Sequence, residues 1–505
     1  MSESRNESIE QDESRRRFKM IPLIWLFLSL MGMPATAQYG GGSGSAEDPY
    51  LIFTAEQMIS ISQQPGDWDK HFRLTDDLDL SGMNLADYTP IGFYTTMGDE
   101  TVETPFRGVF DGNDHTITGF TLRRSYITAL FGIVDGGAQI RNVKLIDPNV
   151  EGANCVGALV GQLKQATVTR CTIQGGRVSG PVAIPVSIVY VGGLVGSNFA
   201  GNITDCHTTC NVPAGSLSVG GLVGENLGTI EDCFATGNVG EMKAPMVVGG
   251  LVGCNTGSIA RCYATGNVFG RDYETGGLVG WNKGTITRCF STGCVSGENG
   301  VGGLVGINRS EGEQVGRIDD CYSTSQVSAS LNDVGGLVGA NAGMISGCFS
   351  ASQVSGKDRV GGLVGANDFI SIMGTIINSY ASGSVTGERL IGGLVGINPG
   401  TICQCYAMGR VSGLEDVGGC IGKNQSTDTS RTTGVVIACF WDQDTSGQIF
   451  SDGGSGKSSD HMQDPNTYLD AGWDFVDETE NGTEDIWWIL EGHDYPRLWW
   501  ETEGN

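Results

Sequence analysis

Nine of the fifteen cysteines recur at one position of a repeating pattern: Cys171, Cys206, Cys233, Cys262, Cys289, Cys321, Cys348, Cys405 and Cys439, with Ser379 in one gap. Aligned thiols suit three chemistries: disulfides, zinc binding and nucleophilic attack. No tetrahedral Cys/His set recurs with metal-ligand spacing, and the cysteine total is odd. Side chains leaving stacked turns in parallel also give poor geometry for a bridge between adjacent turns. The expectation is a buried ladder of small, mainly apolar thiols. Pairing stays open among Cys155, Cys210, Cys254, Cys294, Cys403 and Cys420.

The residue after the cysteine is usually a ring: Phe234, Tyr263, Phe290, Tyr322, Phe349, Tyr380, Tyr406 and Phe440. If side chains alternate strictly, the rings face water. The candidate binding stripe is then Phe234, Tyr263, Phe290, Tyr322, Phe349, Tyr380 and Tyr406, a platform on which sugar rings could stack. A bend turning these rings inward or under loops would make them core instead. The residue before the cysteine is often charged, as at Arg170, Asp205, Asp232, Arg261, Arg288 and Asp320. It is expected to face water, with Asp232–Arg261 and Arg288–Asp320 as pairs between turns.

Carboxylates could cleave a polysaccharide if two or three converged on one groove. Asp205 and Asp232 lie several turns from Asp319 and Asp320, with Arg261 and Arg288 between them, which reads as charge balance. Asp111 and Asp114 fit turn formation. Gly454-Ser455-Gly456-Lys457-Ser458 imitates a phosphate loop, but Ser451 stands where its first glycine belongs. It reads as a flexible Gly/Ser loop spanning Ser451–Ser459. No catalytic residue, metal site or cofactor is expected.

These side chains are positioned by a recurring string, Gly-Gly-Leu-Val-Gly. It is clean at Gly192–Gly196, Gly220–Gly224, Gly249–Gly253, Gly276–Gly280, Gly302–Gly306, Gly335–Gly339, Gly361–Gly365 and Gly392–Gly396, with degenerate copies at Gly157–Gly161 and Gly418–Gly422. Copies lie 26 to 35 residues apart, a stacked-repeat period. Each repeat shows three β-prone pieces separated by turn residues and no helical apolar period. Three strands and three corners per coil predict an all-β chain, a parallel β-helix or β-solenoid, right-handed favoured, with short capping segments at both ends. Ten copies at about 4.8 Å per rung would make a rod of roughly 50 Å. An asparagine follows the last glycine of nine of the ten copies by two residues, from Asn198 through Asn226, Asn255, Asn282, Asn308, Asn341, Asn367 and Asn398 to Asn424. Its amide can bond that of the next coil, which predicts a structural ladder.

The chain has 505 residues, of which 80 are glycine, far above the usual share of about 7%. Arg15–Lys19, the apolar Met20–Met33 and the small residues Ala35-Thr36-Ala37 read as an export signal over residues 1–37, cleaved after Ala37. No membrane span is expected in the mature chain. The net charge of −27 argues against nucleic acid and anionic membranes. Residues 38–105 are expected to form an N-terminal cap, with a short helix near Thr54–Gln63. Residues 106–440 are expected to form the solenoid, its ten repeats spanning 157–440. Residues 441–505, with six of the nine tryptophans, are expected to form a C-terminal cap sealing the core.

The repeats resemble the GLUG motif family over about residues 157–424, through the ten copies above. Phe106–Ile117 is similar to the opening coils that precede such arrays. The resemblance implies a secreted or surface β-solenoid, often adhesin-like. It also implies a possible peptidase branch, which needs His-Glu-x-x-His. None of His71, His115, His207, His461 and His493 stands in that pattern. The functional expectation is a non-catalytic secreted or cell-surface protein that binds a glycan or envelope component. A polysaccharide lyase or hydrolase on the same scaffold is the alternative.

Overall fold

The computed structural model describes residues 38–502, apart from short stretches at 86–87, 98–99, 125, 181–188, 214–216, 242–246, 272–273 and 426–431. The export signal expected at 1–37 lies outside the described residues.

One coil shows the plan. Ser258–Ala260, Tyr263–Ala264, Val268–Phe269, Thr275–Gly276 and Val279–Asn282 follow one another, and the next coil restarts at Thr285–Thr287. Each segment pairs in parallel with its equivalents in neighbouring coils, giving sheets of 14, 14, 6, 10 and 11 strands, here numbered first to fifth in coil order. The chain is thus a parallel β-solenoid. Fourteen rungs at about 4.8 Å make a rod near 60 Å, longer than ten motif copies implied.

The coil has five strands where three pieces were expected. Two backbone features split the pieces. Arg261 interrupts the Ser258–Ala264 segment at φ 53°, and the same left-handed corner recurs at Arg170, Asp205, Asp232, Arg288 and Asp320, all at φ 52–53°. The glycine motif interrupts the other piece, turning from the fourth sheet to the fifth. Here the glycines answer crowding. A Cβ on Gly276 would sit 2.0 Å from the Val279 carbonyl oxygen, and one on Gly277 would sit 1.9 Å from that of Gly303. A Cβ on Gly280 would meet the Val248 amide nitrogen at 2.8 Å. Neither of the first two positions has room for any side chain.

The asparagine ladder is continuous. Asn198 Nδ2 donates to Asn226 Oδ1 at 2.8 Å, and the same bond repeats from rung to rung at 2.8–2.9 Å until Asn398 reaches Asn424. Each amide also closes its own corner, as when Asn282 Nδ2 donates to the Gly284 carbonyl at 3.1 Å. Buried amides without such partners would carry a desolvation penalty.

The nine ladder cysteines are buried, and all fifteen cysteines are free thiols. Their role exceeds apolar packing. The amide of Cys206 donates to Cys233 Sγ at 3.3 Å, that of Cys233 to Cys262 Sγ at 3.4 Å and that of Cys262 to Cys289 Sγ at 3.3 Å. The thiols of Cys206, Cys233, Cys262, Cys289, Cys321 and Cys348 therefore each satisfy an amide at the left-handed corner of the preceding coil. Ser379 fits the gap because its Oγ accepts from the Cys348 amide at 3.2 Å. Burial pushes Cys206, Cys289, Cys321 and Cys405 up, which keeps them protonated and unreactive. Cys262→Ser should retain stability, whereas Cys262→Ala, which orphans the Cys233 amide, should cost about 1–3 kcal/mol in urea unfolding.

At the N-terminal end the first sheet already begins at Tyr50–Ile52, well upstream of residue 106, and pairs through His71–Leu74 to Val109–Asp111. The coil of Phe106–Ile117 is therefore not the opening one. The expected helix forms over Ala55–Ser62 and is fixed by a capping box between Thr54 and Gln57. Its Met58 and Ile61 are fully buried in the main core and cover the first coil.

At the other end, Ser455–Lys457 pairs with Phe440–Asp442 as a last rung of the second sheet, so the Gly/Ser run is not a free loop. Ser458 then caps a short helix at Ser459–Met462. Trp441 joins the main core. The rest of the Trp-rich segment does not plug the rod. It lies along the flank and builds a second hydrophobic cluster there, containing Trp473, Trp487 and Leu498.

Candidate functional site

The aromatic column lies on the outer face of the second sheet. After the left-handed corner the cysteine points in, the ring points out, and the next residue, Ala235, Ala264 or Ser291, is fully buried. His207, Phe234, Tyr263, Phe290, Tyr322, Phe349, Tyr380 and Tyr406 stack with centroids 4.6–5.0 Å apart and planes within 9° of parallel. The spacing is that of the rungs themselves, so the backbone register sets the ring stack. Each ring covers the faces of its neighbours. The outward surface is a row of ring edges, with phenol groups at Tyr263 and Tyr322.

The stripe has two halves. Phe234, Tyr263, Phe290, Tyr322 and Phe349 are half-buried, whereas Tyr380 and Tyr406 are buried at 6% and 1% exposure. Folding-back of the C-terminal segment makes the difference. Trp487 and Trp473 lie 6.1 and 6.3 Å from Tyr406, and the Tyr406 hydroxyl donates to the Pro496 carbonyl at 2.6 Å. The Tyr380 hydroxyl donates to Glu501 at 3.0 Å. Burial raises the Glu501 carboxyl above its ordinary range and, together with Glu501 itself, holds the Tyr380 phenol protonated. Trp500 reaches furthest, 5.8 Å from Phe349 and 6.2 Å from Tyr322, and its Nε1 donates to the Gly347 carbonyl at 3.0 Å. Trp473, Trp487, Trp500 and Glu501 are the residues that sequence reasoning missed as partners of the stripe. Their number in the tail was the one signal available.

The charged positions before the cysteines pair across rungs as expected. Arg261 Nε lies 2.7 Å from Asp232 Oδ1, and Arg288 Nε lies 3.9 Å from Asp320 Oδ2. Hydrogen bonding to Arg261 holds the Asp232 carboxyl below its usual range, the opposite of what a general acid needs. Asp319 is engaged by Arg317 at 3.3 Å. Asp111 accepts from the Asn113 amide, from Asn142 Nδ2 at 2.8 Å and from Arg141 Nε at 3.2 Å, the bonding of a turn-forming carboxylate.

A second outward column runs along the fifth sheet through Ser197, Glu225, Cys254, Trp281 and Ile307. Lys283 sits over the Trp281 ring at 4.5 Å and Arg309 at 5.4 Å. Burial raises the Glu225 carboxyl, which accepts from Ser197 Oγ at 3.0 Å. Among the described residues no helix is long and apolar enough to cross a membrane.

Fold and repeat together define the class, a parallel β-solenoid whose corners are set by a glycine motif. The GLUG motif matches at residues 188–212, 215–240, 244–268 and 358–386. The chain carries GLUG-motif repeats over those stretches. Over 210 residues, 40% of the chain, it is 31% identical to halomucin of Haloquadratum walsbyi, covering 2% of that protein. Over 149 residues, 28% of the chain, it is 34% identical to a provisionally described Gly-rich membrane protein of Evansella cellulosilytica, covering 16% of it. The chain thus spans only a small part of the relatives it matches. A solved structure from Bacteroides ovatus, provisionally described as an immunoglobulin A1 protease, aligns over 92% of this chain and 96% of its own at 19% identity. Its TM-score of 0.27 is too low to bear on fold or activity.

Proposed function

We propose that this chain is a non-catalytic surface β-solenoid, exported by residues 1–37, which works by adhesion to a glycan or another cell-envelope component. The carrying observation is the open half of the aromatic column. From Phe234 to Phe349 it offers a straight, half-exposed row of ring edges and phenols. Its continuation at Tyr380 and Tyr406 already engages indoles and hydrogen-bonding groups of the tail. Large apolar surface with polar tips is the composition of an interaction face. Because neighbouring rings occupy one another's faces, the ligand meets edges and hydroxyls, not a flat stacking platform. In this reading the repeats over 157–440 supply the rod, and the segments 38–105 and 441–505 protect its ends and flank. Relatives named as a halomucin and a membrane protein fit a cell-surface setting.

A glycan and envelope-fragment array with the full chain tests this, run beside a reducing-sugar release assay. Binding without release is expected, with the signal reduced at least tenfold in a Tyr263→Ala/Phe290→Ala double variant. Release of reducing ends would favour the lyase or hydrolase alternative, and an empty array would end the reading.

A further inference from the structure

Near the N-terminal end two adjoining cavities open on the flank, and neither touches the aromatic column. The first, about 250 Å³, is lined by Thr89, Pro90, Phe93, Tyr94, Arg124 and Tyr126, among others. The second, about 540 Å³, shares Tyr94 and continues past Glu103, Gln162, Lys164 and Phe199. Small concave sites with aromatic walls and a few fixed polar groups are the form of ligand pockets. The first is smaller than the roughly 300–1,000 Å³ typical of drug-sized ligands and has room for one small ring.

The walls of the first cavity are organised. The Tyr94 and Tyr126 rings meet edge to face, 6.0 Å apart at 79°, and form a right-angled corner. The Tyr94 hydroxyl donates to Gln162 Oε1 at 2.9 Å, which fixes the ring between the two cavities. Tyr126 is 54% exposed, so one wall of the corner is open to an incoming ligand.

Arg124 gives the cavity its charge. Its terminal nitrogen donates to the Tyr88 carbonyl, while its Nε–H is buried with no hydrogen-bond partner. Among the described residues no carboxylate pairs with it, although the chain carries a net charge of −27. The neighbouring Arg123 is paired with Glu151 and Lys164 with Glu103. The guanidinium keeps terminal N–H donors beyond the one given to Tyr88, and such a group matches a carboxylate.

We infer that the Tyr94–Tyr126–Arg124 pocket binds a carboxylated sugar unit, a uronic acid or similar acidic residue of a glycan, with the adjoining cavity taking the next unit of the chain. The sugar ring packs into the aromatic corner and its carboxylate accepts from Arg124. This rests on the glycan reading and narrows it to acidic glycans at a site separate from the aromatic column.

Titration of the full chain with methyl β-glucuronide and methyl β-glucoside, followed by calorimetry and by chemical-shift changes, tests the pocket. The glucuronide is expected to bind at least tenfold tighter than the glucoside and to weaken as salt rises. Arg124→Gln should lose at least tenfold for the glucuronide, and Arg123→Gln should match the parent. If Arg124→Gln fails to fold, the surface change Tyr126→Ala serves, with the same loss expected. Equal affinity for both sugars, or unchanged affinity in Arg124→Gln and Tyr126→Ala, overturns the pocket. Array binding that persists in both variants leaves the wider glycan reading standing, and an empty array removes both.

Discussion

Gly277→Ala should collapse the middle of the stack. The added methyl would lie 1.9 Å from the Gly303 carbonyl oxygen and 3.0 Å from the Ser291 Cβ. Both contacts belong to the next coil, the first to its backbone and the second to its core, so neither can move alone. Overpacking ordinarily costs about 1–3 kcal/mol, and a backbone clash of this closeness belongs at or above that range. Because each coil is held only by its neighbours, the fault divides the array into two shorter stacks. Urea unfolding should show a large fall in midpoint, with loss of a single cooperative transition. Gly82→Ala is the control: nothing lies within 4 Å of its Cβ, and a change within about 0.5 kcal/mol is expected. Equal stability of the two variants would mean that the motif glycines do not pack coil against coil.

The second large effect concerns the tail. Trp487 is fully buried between Tyr406 and Trp473, 6.1 Å from the first and 4.6 Å from the second. Trp487→Ala should cost about 3–5 kcal/mol of tail docking, the usual loss for a large buried aromatic. The main core runs through the coils and shares none of the buried residues of the flank cluster. The rod should therefore keep its melting transition while residues beyond Lys457 become open to protease. Trp500 should leave Phe349 and Tyr322 at the same time, visible as a red shift in tryptophan fluorescence. The freed Tyr380 and Tyr406 would lengthen the exposed stripe, and binding through ring edges should strengthen. A tail that stays protected in Trp487→Ala would place the docking energy elsewhere.

Much of the rod could be read from sequence because its information repeats. Asn198 to Asn424 stand at one offset from the motif, and an offset kept over nine coils translates directly into a column. The cysteine and ring columns were legible as adjacent positions in each coil, although their distance from the last motif glycine varies from 9 to 17 residues. The five-strand coil was hidden because its corners carry Arg261 or Asp232 in a left-handed conformation, where glycine or asparagine would be the usual marker. A sulfur accepting from the amide of the preceding coil leaves no mark in composition, although the substitution of Ser379 for cysteine hints at it. The tail docking was illegible for another reason. Tyr406 meets Pro496 across 90 residues with no repeat to set the register, so the tryptophans could be counted but not placed. The pocket at Arg124 has the same character, since Tyr94, Arg124 and Gln162 come from three separate coils.

The central claim is that the repeats are rungs of one rod in strict register. Thr229 pairs through successive coils with Ser258, Thr285, Arg317, Met344, Thr375, Thr401 and Val435 on the outer face of the first sheet. Spin labels introduced in pairs through a non-cysteine chemistry, with Thr229 as the common partner, measure that ladder directly. Distances should rise linearly, to about 24 Å at Thr375 and about 34 Å at Val435, five and seven rungs away at about 4.8 Å each. A Val435 distance no longer than the Thr375 one, or a broad spread at either, would show repeats packed as separate bodies and contradict the rod.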